Sequence, residues 1–342
     1  MGAHEPSPLV ALTGVELDGA LARLAPPRWH RATAWDGWPL AVRELLPPSG
    51  RAPTHTVVLG HAMMVDGRTL LHPRRPSLAH ALALGGARVL VPDLRGHGRS
   101  GPRAHEGGTW TYDDLVRDVG GYVALARALA PHQPLVLAGH SLFGHTALAW
   151  LGREAAGAAR DVDGLVMIAS AIWLRADEPW WPVWLWKRLQ VSAMHLLATA
   201  AGRVPVRALG LGSDDEALPY WRDFLRWFRR RDWCARDGFS YRAAVADVRC
   251  PALVVVSEGD RRFARPGPTL RFSAGLARRP AGRDLIHLGV GADGPVGPGP
   301  WAALRPTHMG LVTDVGAWPL WAAVDRWTHA RVRGQPLAAA DR

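Results

Sequence analysis

Ser141 stands in the run Gly139-His140-Ser141-Leu142-Phe143-Gly144, between two apolar stretches at residues 134–138 and 147–151. The first stretch reads as a buried strand and the second as a helix. A serine at such a corner is held in a strained, outward-pointing conformation, and the next backbone N–H is aimed at whatever the hydroxyl attacks. That is the setting of a nucleophile; the plainer reading is a helix N-cap. Serine alone is a weak nucleophile. It needs a histidine to take its proton and a carboxylate to orient that histidine. In a parallel sheet, ligand-facing groups gather at the carboxyl ends of the strands, and two such ends carry the missing types. Ser257-Glu258-Gly259-Asp260 follows the apolar run 253–256, and Pro306-Thr307-His308-Met309-Gly310-Leu311 comes after the last strand-like run. The expected set is Ser141, Asp260 and His308, in a chain order unlike that of the two familiar serine-protease types. Asp293 and Asp314 are alternative acids, and His287, inside a strand-like run, competes as the base. His97 and His140 lie near the same rim, where structural or substrate-lining roles suit them better than a reacting one. No His-Glu-x-x-His spacing or Cys/His cluster occurs, so neither a metal nor a cofactor is expected.

These side chains need elements to carry them. Asp36-Gly37 between two strand-like runs predicts a hairpin. From residue 56 the pattern alternates strand and helix. Strands are expected at 56–59, 89–91, 135–138, 165–168, 253–256 and 285–288. Helices are expected from the cap Ser77 to Leu84, from Thr111 (with Asp114 three residues on) to Leu129, and over 316–332. Such alternation implies a parallel sheet covered on both faces, with right-handed crossovers. The rhythm breaks between about 171 and 247, where no strand is expected and tryptophan is dense. There Trp221, Phe224, Leu225 and Phe228 recur at helical spacing, with Arg222, Arg226, Arg229 and Arg230 on the other faces. Residues 1–27 show little periodicity and read as an arm or frayed lead-in.

The ordered pieces resemble the α/β-hydrolase superfamily over residues 29–330. They are Gly60-His61-Ala62-Met63 after the third strand, Asp93-Leu94-Arg95-Gly96-His97-Gly98-Arg99-Ser100 after the fourth, the serine turn after the fifth, and then the Asp260 and His308 loops. Within the superfamily the chain is most similar to esterases and lipases of the monoacylglycerol-lipase or serine-aminopeptidase type. The resemblance implies an α/β-hydrolase fold: a mostly parallel eight-stranded sheet with helices on both faces and a helical cap insertion. It implies that Ser141 is the nucleophile, Asp260 the acid and His308 the base of a catalytic triad. The oxyanion donors would be the backbone N–H groups of Met63 and Leu142, with Ala62 the alternative to Met63. Three departures stand out: Phe143 where the family has glycine, His61-Ala62 in place of His-Gly, and a long Asp260–His308 separation that the Gly/Pro-rich stretch 289–300 would fill.

The expected division is an arm at 1–28, a hydrolase core at 29–170 and 248–333, a Trp-rich helical cap at 171–247, and a tail at 334–342. The tryptophans of the insertion (Trp173, Trp180, Trp181, Trp184 and Trp186) are too many for one short core, so some should face a cleft. His61, His140, Trp173, Trp181 and Met309 are candidate substrate-lining residues. The formal charge is +11, yet only one residue, Lys187, is lysine. Arginine among Ala, Gly, Pro and Trp suits a G+C-rich coding sequence better than a nucleic-acid surface. The Arg-rich stretch near Arg226 suits a solvated cap helix, with weak membrane-surface contact the rival reading. Two cysteines make neither a disulfide framework nor a metal spacing, and fit a cytoplasmic location. The first residues lack a basic n-region and an apolar core, so no signal peptide is expected. No apolar run reaches the roughly 18 residues of a membrane span. The expected function is a cofactor-free serine hydrolase that cleaves a small carboxylic ester with an apolar acyl part through an acyl-enzyme. Carbon–carbon bond hydrolysis, lactone opening and perhydrolysis are alternatives on the same fold, and so is a non-catalytic ligand-binding protein.

Overall fold

The computed structural model describes residues 14–230, 232–279, 281–290 and 299–332. The first half of the chain runs α1 (Gly14–Leu21), β1 (Arg28–Thr33), β2 (Pro39–Leu45), β3 (His55–Gly60), α2 (Leu78–Gly85), β4 (Ala87–Pro92), α3 (Tyr112–Leu129), β5 (Leu135–His140), α4 (Leu142–Arg153) and β6 (Gly164–Ile168). The inserted region follows with α5 (Trp181–Ala201), β7 (Arg203–Val204), β8 (Glu216–Ala217), α6 (Leu218–Arg230) and α7 (Tyr241–Ala244). The chain then returns through β9 (Ala252–Ser257), α8 (Pro266–Phe272), α9 (Ala274–Ala277), β10 (Arg283–Leu288), α10 (Gly310–Thr313) and α11 (Trp318–Val332).

Eight strands form one sheet in the order β1-β2-β4-β3-β5-β6-β9-β10. The pairs β1–β2 and β2–β4 are antiparallel and the rest are parallel. Every residue of β3, β5, β6 and β9 is buried, as a sheet covered on both faces requires, and so these strands read as unbroken Val/Leu/Ala runs. Helices α3 and α4 cover one face through Val116, Val119, Leu148 and Trp150. Helices α2 and α11 cover the other through Leu78, Leu82, Leu320, Trp321 and Val324. The Thr111 hydroxyl and the Asp114 carboxylate form the reciprocal cap expected for α3. Ser77 precedes α2 as expected, but its hydroxyl contacts the His80 ring at 2.6 Å instead of capping the helix.

Two sequence expectations are corrected. The lead-in carries a helix, α1, which packs Leu17 and Ala20 onto the α2 side of the core. The inserted region does contain strands: β7 and β8 pair antiparallel, Arg203 with Ala217 and Val204 with Glu216. Two-residue strands are too short to show a period of two, so hydrophobic pattern cannot reveal them. In α6 the expected apolar face is buried (Trp221, Phe224, Leu225 and Phe228). In α5, Trp181 and Trp186 stay exposed, as does Trp180 just before it. Among the described residues no helix is long and apolar enough to cross a membrane.

Candidate active site

Ser141 sits where β5 ends and α4 begins, with φ 52° and ψ −108°. A non-glycine residue seldom holds this conformation, and the packing around it must over-determine it. The packing does so here. A Cβ on Gly139 would lie 2.3 Å from the Gly144 nitrogen, and one on Gly144 would lie 2.0 Å from Ser170 Oγ. The Ser141 N–H donates to the Ile168 carbonyl at 2.9 Å, tying the turn to β6. Phe143 finds its room across the sheet. A Cβ on Gly60 would lie 2.0 Å from the Phe143 ring, so a glycine at the end of β3 opens the space that the bulky residue fills. The ring is fully buried and 6.2 Å from Tyr122.

Asp260 and His308 meet, although 48 residues separate them. His308 Nδ1 donates to Asp260 Oδ2 at 2.6 Å. Asp260 also accepts the backbone N–H groups of Phe263 and Ala264, each at 3.0 Å, so its carboxylate is fixed on both oxygens. Burial pushes the Asp260 carboxyl up. The His308 hydrogen bond and charge, with the two backbone donors, outweigh burial and hold it below its ordinary value. Two further residues bring the loops together, and the sequence pattern did not flag either. The Ser257 hydroxyl donates to the Pro306 carbonyl at 2.7 Å, and a Cβ on Gly259 would lie 2.1 Å from the Arg305 carbonyl oxygen. The rivals are engaged elsewhere: His287 contacts Glu258 at 2.8 Å, and Asp314 accepts from the Gly316 N–H. Asp293 and most of the 289–300 stretch lie outside the described residues.

His140 packs its ring 4.7 Å from that of His308 and donates from Nε2 to the His308 carbonyl at 3.0 Å. Fully buried, it is held well below its ordinary pKa, first by desolvation and then by the charge of His308. It therefore supports the His308 loop as a neutral ring. Neither the Ser141 hydroxyl nor His308 Nε2 hydrogen-bonds to another group among the described residues.

The N–H groups of Met63 and Leu142 donate to no other group among the described residues. Leu142 is the first residue of α4, where N–H groups have no intrahelical acceptor. The Phe143 N–H donates to the His61 carbonyl at 3.3 Å, which joins the two turns. His61 is fully buried. Its Nε2 accepts from the Leu94 N–H at 2.9 Å and its Nδ1 donates to the Ala62 carbonyl at 2.7 Å. Desolvation, then the neighbouring His97 charge, push its pKa down to about 3, so this ring is neutral.

The next residue, Met64, has φ 66° and is gripped by the inserted region. Its N–H donates to Glu216 Oε1 at 2.8 Å, and its carbonyl accepts the N–H groups of Ser213 at 3.0 Å and Asp214 at 3.2 Å. Glu216 Oε1 also meets His97 Nε2 at 3.0 Å, while His97 Nδ1 donates to the Arg95 carbonyl at 2.8 Å. A ring that donates from both nitrogens is an imidazolium. Burial works against that charge, but Glu216 and Asp214 prevail and raise the His97 pKa to about 9. No sequence motif marks Glu216.

The expected substrate-lining residues divide by burial. His61 and His140 are closed off from solvent. Trp173 is half-buried; its indole N–H donates to the Phe263 carbonyl at 2.7 Å, and Phe263 lies 5.1 Å from the His308 ring. Met309 is half-buried beside His308, and Trp181 is 66% exposed on α5. A cleft of about 470 Å³ opens beside the acid loop, lined by Trp180, Val183, Asp260, Arg265 and Arg305 among others. Neither Ser141 nor His308 lines it. Among the described residues no three His, Cys, Asp or Glu side chains gather as a metal site.

No curated protein matches the chain. Solved structures do, at low identity. An esterase of Pyrococcus furiosus superposes with TM-score 0.55 at 14% identity, covering 98% of each chain. A thermophilic esterase of Thermogutta terrifontis with malate bound has TM-score 0.54 at 19% identity, covering 90% of this chain and 99% of its own. An esterase of Butyrivibrio proteoclasticus with ferulic acid bound has TM-score 0.56 at 15% identity, covering 89% and 99%. These likenesses establish the α/β-hydrolase fold. Residues 58–261, more than half of the chain, match the family described as serine aminopeptidase, S33. The chain therefore belongs to the serine aminopeptidase S33 family of α/β-hydrolases and is a serine hydrolase.

Proposed function

We propose that the protein cleaves a carboxylic ester with an apolar acyl part through a Ser141–His308–Asp260 triad. The observation that carries this reading is the strained Ser141 backbone at φ 52° beside the 2.6 Å His308–Asp260 pair. Ser141 Oγ attacks the ester carbonyl carbon while His308 Nε2 takes its proton. Asp260 holds the Nδ1–H tautomer and stabilises the imidazolium. The free N–H groups of Met63 and Leu142 hold the oxyanion. Collapse of the tetrahedral species expels the alcohol, which receives the proton from His308. Water, activated by the same ring, then hydrolyses the acyl-enzyme and releases the acid. No cofactor or metal enters the scheme.

Residues 171–247 act as a cap over this rim. Met63, Met64 and Trp173 pack against its apolar cluster of Val191, Val206, Trp221 and Phe228, which supports an apolar partner for the acyl chain. The exposed Trp181, Leu185, Leu189 and Leu196 of α5 support weak contact with a lipid surface. The free thiols Cys234 and Cys250 suit a cytoplasmic location. A panel of p-nitrophenyl esters of increasing acyl length, run beside Ser141→Ala, tests the reading. Rates that rise with acyl length and vanish in the variant support it. Flat, background rates across the panel contradict it.

A further inference from the structure

We propose that Glu216, paired with His97, is a positioning residue that the inserted region supplies to hold the oxyanion turn in its working geometry. The proposal rests on the reading of Ser141 and Met63 given above. Met64 follows the donor Met63 directly and is anchored on both its backbone polar groups by one five-residue segment, 212–216. Glu216 accepts its N–H, Ser213 and Asp214 donate to its carbonyl, and a Cβ on Gly212 would lie 2.1 Å from that carbonyl oxygen. The approach is too close for any residue but glycine at 212. Met64 itself is bent into the left-handed region at φ 66°, which a methionine does not hold without external support.

The support is buried and ionic. Glu216 and His97 are both fully buried, so a carboxylate here would be costly without its partner. His97 sits in the Asp93–Ser100 loop of the sheet and is fixed on its far side by the Arg95 carbonyl. The carboxylate thus spans from β4's loop to the turn after β3, and it originates in β8 of the insertion. Glu216 has the one oxygen, Oε1, on both donors, while Oε2 has no partner among the described residues. An oxyanion hole works because its donors do not reorganise as charge develops. A carboxylate clamp one residue away from the donor supplies that rigidity.

The test compares Glu216→Ala, Glu216→Gln and Gly212→Ala with the native protein on a p-nitrophenyl ester, with Ser141→Ala as control. Glu216→Ala removes the acceptor of the Met64 N–H and should lower kcat about 10- to 100-fold, below the 100- to 1,000-fold typical of losing a donor outright. KM should stay within about twofold, because ground-state binding is untouched. Glu216→Gln keeps an oxygen for the Met64 N–H and should recover most of kcat. Gly212→Ala pushes on the Met64 carbonyl from the other side and should repeat the kcat-selective loss, which keeps the test open if Glu216→Ala does not fold. Amide exchange at Met64, whose N–H is bonded to Glu216, should quicken in Glu216→Ala and not in Glu216→Gln. Native kcat in folded Glu216→Ala or Gly212→Ala would overturn the proposal, as would a loss expressed wholly in KM. If Ser141→Ala is inactive and these variants are native-like, only the positioning role fails. If Ser141→Ala turns over at the native rate, the reading of the site fails first and takes this proposal with it.

Discussion

Strands β3, β5, β6 and β9 bury every residue, whereas the 21-residue helix α5 buries only Lys187, Val191 and Ala198. The sheet excludes water with Val, Leu and Ala. The inserted region leaves Trp181, Leu185, Leu189 and Leu196 in solvent, yet it buries Asp177, Glu178, Lys187, Asp214, Asp215, Glu216 and Asp223. Several of these charges reach across to the core: Glu178 to Arg265, Asp214 to the Gly98 N–H, Glu216 to His97. Apolar burial is non-directional and scales with area. Charge-assisted hydrogen bonds are directional and fix one geometry. The insertion shares apolar contact with the core through Tyr220, Phe224 and Trp227 beside Tyr112 and Leu148, and the charge-assisted bonds add the directional contacts that fix its position. Ser141 follows β5 directly, Asp260 lies in the loop after β9 and His308 in the loop before α10, while at the junction the Met63–Met64 turn after β3 is held from the insertion.

The contrast breaks most sharply on the core side. Asp260→Asn leaves the His308 loop in place but removes the carboxylate that fixes its tautomer, and activity should fall about 10,000-fold with the fold intact. Steady-state kinetics and circular dichroism together check this. A smaller effect, on stability, is expected at Gly60. Gly60→Ala drives a methyl into the Phe143 ring and should cost about 3 kcal/mol in chemical denaturation. Adding Phe143→Ala should return part of that loss, since the two sites share one space.

The junction should weaken with alkali. Folded His97 keeps its proton up to about 9, against an ordinary value of 6.5. The stabilisation is complete below about 6.5 and is lost as pH rises through about 9. The ring faces Glu216 and Asp214 from the insertion, and Arg95, Trp110 and the neutral His61 from the core. Hydrogen exchange over residues 203–217 should therefore quicken between pH 6.5 and 9.5, ahead of exchange in β5. The smallest effect is expected on the open face of α5. Trp181→Ser with Leu189→Ser should change unfolding free energy by no more than about 0.5 kcal/mol, while reducing co-sedimentation with lipid vesicles.

Much of this was legible in the sequence because buried parallel strands announce themselves as apolar runs and a strand-to-helix serine turn has a compact signature. The strands carrying Ser141 and Asp260 were readable for that reason. The sheet order, with β4 beside β2 and β3 beside β5, was not, because register between distant strands leaves no local trace. Gly60 and Phe143 looked like a glycine in a strand and a departure from a family pattern; only their contact explains both. Glu216 escaped notice because its strand has two residues and its partners, Met64 and His97, lie more than a hundred positions away.

The most direct measurement is mass spectrometry of the protein after reaction with a fluorophosphonate probe. The expected result is a single adduct on Ser141, absent in Ser141→Ala and much slower to form in His308→Ala. An adduct on another residue, or equal labelling in Ser141→Ala, would contradict the assignment of Ser141 as the nucleophile.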